Sequence, residues 1–519
     1  MNIKTFLIFP LLIACSINSD DYQIKSLKVS PEMVLPLATG NLSIQDILNK
    51  TDVSFIKVDP DGLVYLTYEE TLVTQDIRDL ITIPDLATVN RALVFPSGNR
   101  PASNADVNST ISTSSVDMGI TPEKLTEIYF KSGSLNYTVN LTPSNSNALF
   151  AVIIKIPEFK NEAGVAFQQT VSDAGSFSLQ GYTFKNAIAN TFTLDLTLVI
   201  KPHNNAYVVA PGSNVNVSIS MSGLDFKYVR GFFNDQTANP ASDTLDIGTF
   251  GDFLEEGSAT FAQPKIELDV INDYGVPLEV TFSSLEAIKP GSFIPILINP
   301  TSPVTITTPA TLGASATTPV AITNVNQVFN FRPSQFRFQV SGRINKGLVS
   351  GNNFMADTSK MRVKMKFELP LYGKASGISL SDTVELDLGD LDQSQIETAG
   401  IKAFITNELP LDANIQLTLT DANYGVLATL ISPAQTNLVV GSTVDNNGLL
   451  QTPGSFNELI ELDPVKINKL FTAKYLIVTT DLNTSKNSAG TQVDVKFLST
   501  LKINIKLGLK VKLKLVADL

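Results

Sequence analysis

The stretch LKINIKLGLKVKLKL (residues 501–515) decides how the whole chain is to be read. Leu501, Ile503, Ile505, Leu507, Leu509, Val511, Leu513 and Leu515 fall on one face, and Lys502, Lys506, Lys510, Lys512 and Lys514 on the other. Apolar residues at a spacing of two make a β-strand with one buried face, whereas a helix would space them by three and four. The same alternation recurs at residues 149–156, 192–200, 215–221 and 361–367. Thr, Val, Ile and Phe are abundant, as half-buried pleated surfaces prefer. The chain is therefore expected to be all-β, a series of tandem antiparallel β-sandwiches with a few short helices.

Repetition sets the organisation. Asp117-Met118-Gly119, Asp246-Ile247-Gly248 and Asp387-Leu388-Gly389 share the form Asp-apolar-Gly. They lie roughly 130 to 140 residues apart, a period long enough for one domain each. Their flanks agree: Ser242-Asp243-Thr244-Leu245 precedes the second copy and Ser381-Asp382-Thr383-Val384 the third. Downstream, the segment from Asn272 to Pro277 and Leu278 resembles that from Asn407 to Pro410 and Leu411. The strand beginning at Phe192 resembles the one beginning at Phe336. Ile460-Glu461-Leu462-Asp463-Pro464 reads as a partial further copy. Asp ends a strand, Gly supplies backbone angles other residues avoid, and Pro277 and Pro410 belong at a strand break because they cannot donate to a ladder.

These signals divide the chain into a leader (1–14), an acidic tether (15–25), an N-terminal β-rich domain (26–105), two sandwich repeats (106–245 and 246–386) and a C-terminal β-domain (387–519). Within the N-terminal part, Asp59-Pro60-Asp61-Gly62 reads as a hairpin turn; as a calcium loop it lacks the further acidic ligands. Residues 301–319 read as a long loop or ragged edge strand. Helix starts are expected at Ser43, at Thr121-Pro122 and at Asp463-Pro464. The last fifty residues read as a hairpin, from Tyr475–Leu482 through a turn at Asn487 and Gly490 to the lysine-studded strand, whose lysines would discourage edge pairing.

Chemistry is sparse. His203 is the only histidine and Cys15 the only cysteine in 519 residues, too few for the common zinc sets, and with Cys15 at the end of the leader no cysteine is available for a Cys–His pair. No nucleophile elbow and no phosphate-cradling loop is present. Carboxylate pairs such as Glu255-Glu256, or Asp390 with Asp392, sit in turn-like sequence and read as solvated. The net charge of −12 makes nucleic acid a poor partner. Trp is absent and Tyr numbers 12, which weakens a sugar platform without removing it. No catalytic residue, cofactor or metal is expected.

The start of the chain carries the specific signal. Lys4 precedes an apolar run from Phe6 to Ala14, too short to cross a bilayer but of signal-peptide length. Leu12-Ile13-Ala14-Cys15 resembles the bacterial lipobox. That resemblance implies cleavage before Cys15, with Leu12, Ile13 and Ala14 as the recognition residues, and acylation of the Cys15 thiol with diacylglycerol and palmitate-type chains. Asp20-Asp21 then resembles the surface-export signal of Bacteroidota lipoproteins, or is a plain solvated tether. The chain as a whole resembles Bacteroidota outer-membrane and cell-surface lipoproteins, and its Asn–Pro strands resemble late-embryogenesis and Ig-like sandwiches. The expected function is that of a non-enzymatic envelope lipoprotein: a structural and protein-interaction module, lipid-anchored to the outer membrane on its cell-surface or periplasmic face, with an envelope protein as partner. The alternative expectation is a glycan- or lipid-binding envelope protein.

Overall fold

A computed structural model describes residues 26–43, 56–76, 79–145, 147–247, 258–386, 393–430 and 441–518. The fold is all-β, with antiparallel ladders throughout and two short helices among the described residues. Twenty strands carry the architecture. Three belong to the N-terminal segment: β1 (Glu32–Ser43), β2 (Val64–Asp76) and β3 (Leu86–Val94). A first sandwich uses β4 (Val107–Asp117), β5 (Lys124–Thr142), β6 (Phe150–Lys160), β7 (Thr191–Ile200) and β8 (Asn214–Phe232). A second uses β9 (Ala241–Asp246), β10 (Lys265–Asn272), β11 (Leu278–Lys289), β12 (Ala316–Ile322), α1 (Val325–Phe331), β13 (Gln335–Ile344) and β14 (Lys360–Pro370). A third uses β15 (Ile378–Glu385), β16 (Ile396–Asn407), β17 (Leu411–Thr420), β18 (Gly454–Leu462), α2 (Pro464–Thr472), β19 (Tyr475–Thr484) and β20 (Lys502–Leu513).

The three share one plan. In each, one sheet pairs the first, penultimate and third strands of the unit: β4-β7-β6, β9-β13-β11 and β15-β19-β17. The opposing sheets contain β8-β5, β14-β10-β12 and β20-β16-β18. In the first sandwich a short strand, Thr183–Lys185, pairs with both β5 and β6 and joins the two sheets. β14 shows why these segments are strands. Met361, Val363, Met365, Phe367 and Leu369 are buried while the residues between them face outward. Phe367 stacks on Phe336 of the opposing sheet at 4.7 Å, and Phe130 meets Phe159 across the first sandwich at 5.4 Å. Each buried phenyl contributes about 1.5–3 kcal/mol.

The N-terminal segment does not build a sheet of its own from its long strands. β1 pairs with β20, β2 with β14 and β3 with β8. The first strand in the chain thus completes the last sandwich, the second the middle one and the third the first. Ser26–Val29 also pairs with Leu515–Asp518, which sets the two ends of the described chain side by side. Strand pairing therefore distributes residues 26–105 among all three units. Ile56–Val58 and β2 form the hairpin expected around Asp59, whose Oδ1 accepts from Asp61 N–H and Leu63 N–H at 3.0 and 2.8 Å.

Register shows what the repeated motifs do. Asp117 Oδ1 accepts from Gly119 N–H at 2.8 Å, and Gly119 has φ +71°, a turn that only glycine enters without strain. The next residue plugs the core in both copies, with Met118 N–H donating to Asn190 O and Ile247 N–H to Ser334 O. In the third sandwich the equivalent bond is Leu386 N–H to Lys474 O, so the matching residues are Glu385-Leu386, two positions before Asp387. Asp387, Gly389 and Gly248 lie outside the described residues. Phe192 and Phe336 occupy the same register position, one after the partner of Asp117 or Asp246. Asn272 and Asn407 are fully buried and equivalent. Each side-chain carbonyl accepts from the N–H two residues on, Tyr274 at 2.9 Å and Leu409 at 3.0 Å. Pro277 and Pro410 each offer their carbonyl to the residue that follows the penultimate strand, Asn345 and Ser485.

Three further sequence expectations need correction. Thr121-Pro122 starts no helix; β5, nineteen residues long, begins at Lys124. Its alternation outweighs a cap-like pair that equally suits a turn into a strand. The segment Ile460–Pro464 is no further Asp-apolar-Gly turn, for it ends β18 and starts α2, with Asp463 capping Lys466 N–H at 2.8 Å. β19 and β20 form no hairpin with each other. They lie in opposite sheets, and β20 is paired on both sides, so its lysines guard no edge. The expected start at Ser43 falls at the end of β1, and residues 44–55 lie outside the described residues.

Asn272 also donates through Nδ2 to Tyr274 O and Thr307 O at 3.2 and 3.0 Å. Asn272→Ala strands these buried groups, each costing about 1–3 kcal/mol. Denaturant unfolding should show a loss of about 2–4 kcal/mol; a loss below about 1 kcal/mol would sink this account of the motif.

Candidate functional site

A cleft of about 670 Å³ lies where the first sandwich meets the second. β5 contributes Tyr129 and Lys131, the turn after β6 contributes Asn161 and Glu162, and β8 contributes Lys227. Asp357 comes from the second unit, directly after the strand Asn353–Ala356, which pairs with β8. Tyr129 and Tyr228 are cross-strand partners, and their rings stack at 5.6 Å with planes 24° apart. Lys227 Nζ lies 5.6 Å from the Tyr129 ring centre. Tyr129 OH donates to Glu162 at 2.7 Å, and Tyr228 OH to Glu127 at 2.8 Å. Lys131 Nζ bridges to Asp357 at 2.6 Å across the junction.

These contacts limit the chemistry. Burial, then the Glu127 carboxylate, pushes the Tyr228 phenol up to about 12. The hydrogen bond to Glu162 raises Tyr129 too. Both phenols stay protonated at neutral pH and act as donors, not bases. A cleft of mixed donors and acceptors with a partly exposed aromatic edge suits a hydroxyl-rich ligand. A second hollow, of about 570 Å³, lies beside α1, where Asn324 holds Leu297 N–H and Pro295 O at 2.8 and 2.9 Å.

The residues singled out from the sequence fall elsewhere. Cys15 with Leu12, Ile13 and Ala14 lies outside the described residues, as do Glu255, Glu256, Asp390 and Asp392. His203 is buried. Its Nδ1 lies 2.7 Å from Asn205 O and its ring meets Tyr207 edge-on at 4.6 Å, a structural role. Asp117, Gly119, Asp246, Asn272, Pro277, Asn407 and Pro410 turn or terminate strands and are spread over three sandwiches. Among the described residues no cluster of three His, Cys, Asp or Glu side chains is placed to hold a metal. Tyr129, Tyr228 and Lys227 were not singled out by sequence reading. Their one signal was a polar-tipped aromatic at outward positions of alternating strands.

No family model matches the chain, and no curated protein is similar to it. Among solved structures, a Parabacteroides distasonis protein named only as secreted is 11% identical over 93% of this chain and 99% of its own, with a TM-score of 0.27. The infectious bursal disease virus structure, Gx strain, is 8% identical over 91% of this chain and 84% of its own, with a TM-score of 0.12. At such scores neither likeness carries an argument.

Asp235, in the segment that follows β8, also ties the first sandwich to the second. It takes two hydrogen bonds from Arg343, both at 2.7 Å, and one from Gly347 N–H at 2.9 Å. The Arg343 guanidinium holds its carboxyl down at about 2, against about 3.9 in an unfolded chain. A carboxyl depressed by folding stabilises at pH above the unfolded value and loses that contribution as pH falls through the folded one. Arg343→Gln should therefore lower stability at neutral pH and flatten its fall between about pH 4 and 2. Unfolding curves over that range test this, and an unchanged slope contradicts it.

Proposed function

We propose that the protein is a non-enzymatic, membrane-anchored envelope lipoprotein that acts as a structural and protein-interaction module on the outer membrane. The observation that carries this reading is the reversed threading of the N-terminal segment. Ser26 pairs with Asp518 beside the third sandwich. A tether from an acylated Cys15 enters the fold there, and the first sandwich is the last unit reached along the pairing. Eleven residues span at most about 35–40 Å, so the third sandwich stays near the lipid while the first is presented outward. Two acyl chains are needed for stable anchoring, since one gives marginal binding. The partner proposed is another envelope protein.

The cleft supports a second reading, a hydroxyl-rich glycan held between Tyr129, Glu162 and Lys227. Glycan arrays with the wild type and Tyr129→Ala separate the two: sugar binding lost in the variant favours this reading, and no binding by either favours the first.

The anchor is tested by Cys15→Ser. After a high-salt wash, which screens charge-driven contact with lipid, the variant should move from the membrane fraction to the soluble fraction with its fold unchanged, and the mature wild type should stay and carry acyl mass on Cys15. Continued membrane retention of the variant, with an unacylated wild-type terminus, refutes the proposal.

A further inference from the structure

The outward face of the third sandwich departs from the charge of the chain. Register places Lys512, Lys510, Lys506 and Lys502 of β20 beside Lys402 of β16 on this face. The carboxylates facing them are Glu32 on β1, bonded to Lys510 at 2.9 Å, Glu397 before it on β16, bonded to Lys512 at 3.1 Å, and Glu461 on β18 opposite Gly400. Five lysines against three carboxylates leave a basic surface on a protein of net charge −12. Apolar side chains stand among the lysines. Phe404 is 46% exposed, Val34 57% and Leu459 38%. Lys402 Nζ lies 5.1 Å from the Phe404 ring centre, and Lys506 is its cross-strand partner.

We infer that this face docks on an anionic phospholipid surface, with Lys402 and Lys506 meeting headgroup phosphates and Phe404 entering the headgroup layer. Two observations select that occupant. The charge of the face opposes that of the phosphates, each nearby lysine adding about a fivefold gain in binding. The face also belongs to the sheet that contains β1, whose chain begins beside the point where the tether enters. An aromatic flanked by lysines is the combination that settles at the interface of a bilayer, because the ring takes the apolar boundary while the ammonium groups stay wet. The inference rests on the anchor reading for orientation. Docking would hold the third sandwich flat against the bilayer and aim the other two away from it.

The test uses the full chain with Cys15→Ser, so that no acyl chain contributes. It should co-sediment with vesicles of phosphatidylglycerol and phosphatidylcholine, and much less with phosphatidylcholine alone. Lys402→Gln with Lys506→Gln should weaken binding to the anionic vesicles about thirtyfold, and Phe404→Ser should weaken it further. Lys155→Gln with Lys160→Gln, on the first sandwich, should leave it unchanged. Circular dichroism confirms that each variant is folded. Equal binding to both vesicle types, no binding, or equal loss in the two lysine pairs overturns the inference. So does lysine-dependent self-association in sedimentation velocity, which would assign the face to a second copy of the chain. Failure of the anchor is read separately, from the acyl mass of the wild type.

Discussion

The ladder between Glu32–Ser43 and Lys502–Leu513 is the interaction on which the rest depends. It closes nearly the whole chain into one loop and fixes the order of everything between. Once β1 lies on β20, the chain runs past the third and second sandwiches before reaching the first, so β2 and β3 meet β14 and β8 in turn. Each added strand turns an edge into an interior position. β8, β14 and β20 would otherwise present a row of unpaired N–H and C=O groups. Contacts so distant in sequence are slow to form, because loop closure must precede any gain from pairing. Folding of the third sandwich has to await synthesis of both ends.

The buried layers beneath these ladders form one hydrophobic cluster that runs from Val64 to Leu513. The junctions are built, not loose. Asn353–Ala356 adds to β8, and Asn345 Nδ2 donates to Asn353 Oδ1 at 2.8 Å in a buried position. Ser258–Phe261, Tyr372–Ser376 and Val495–Lys496 form a small sheet between the second and third units. A tandem array tied in this way behaves as one body more than as beads on a string.

Period-two alternation was enough to read β14 and β20 as strands, and paired flanks were enough to match Phe192 with Phe336 and Asn272 with Asn407. Partners were not legible, because alternation says which face is buried and nothing about which strand lies alongside. That is why residues 26–105 read as a domain, and why β19 and β20 read as a hairpin. The tripeptide at Asp387 misled by two positions because Asp-x-Gly is ordinary turn chemistry, while the Ser-Asp-Thr flank kept the true register. The junction cleft escaped notice for the same reason as the pairing. Tyr129 and Tyr228 lie about a hundred residues apart, and only the β5–β8 register brings their rings together.

Cross-linking across the first ladder tests the central claim most directly. Thr39 and Lys506 are register partners, and paired residues in an antiparallel ladder sit about 4.5–5.5 Å apart at Cα, within disulfide reach. In a Cys15→Ser chain, Thr39→Cys with Lys506→Cys should form a disulfide in high yield under mild oxidation. Thr39→Cys with Lys510→Cys, four residues out of register and so displaced by about 13 Å along the strand, should not. A cross-link in the second pair, or none in the first, would contradict the reversed threading of the N-terminal segment.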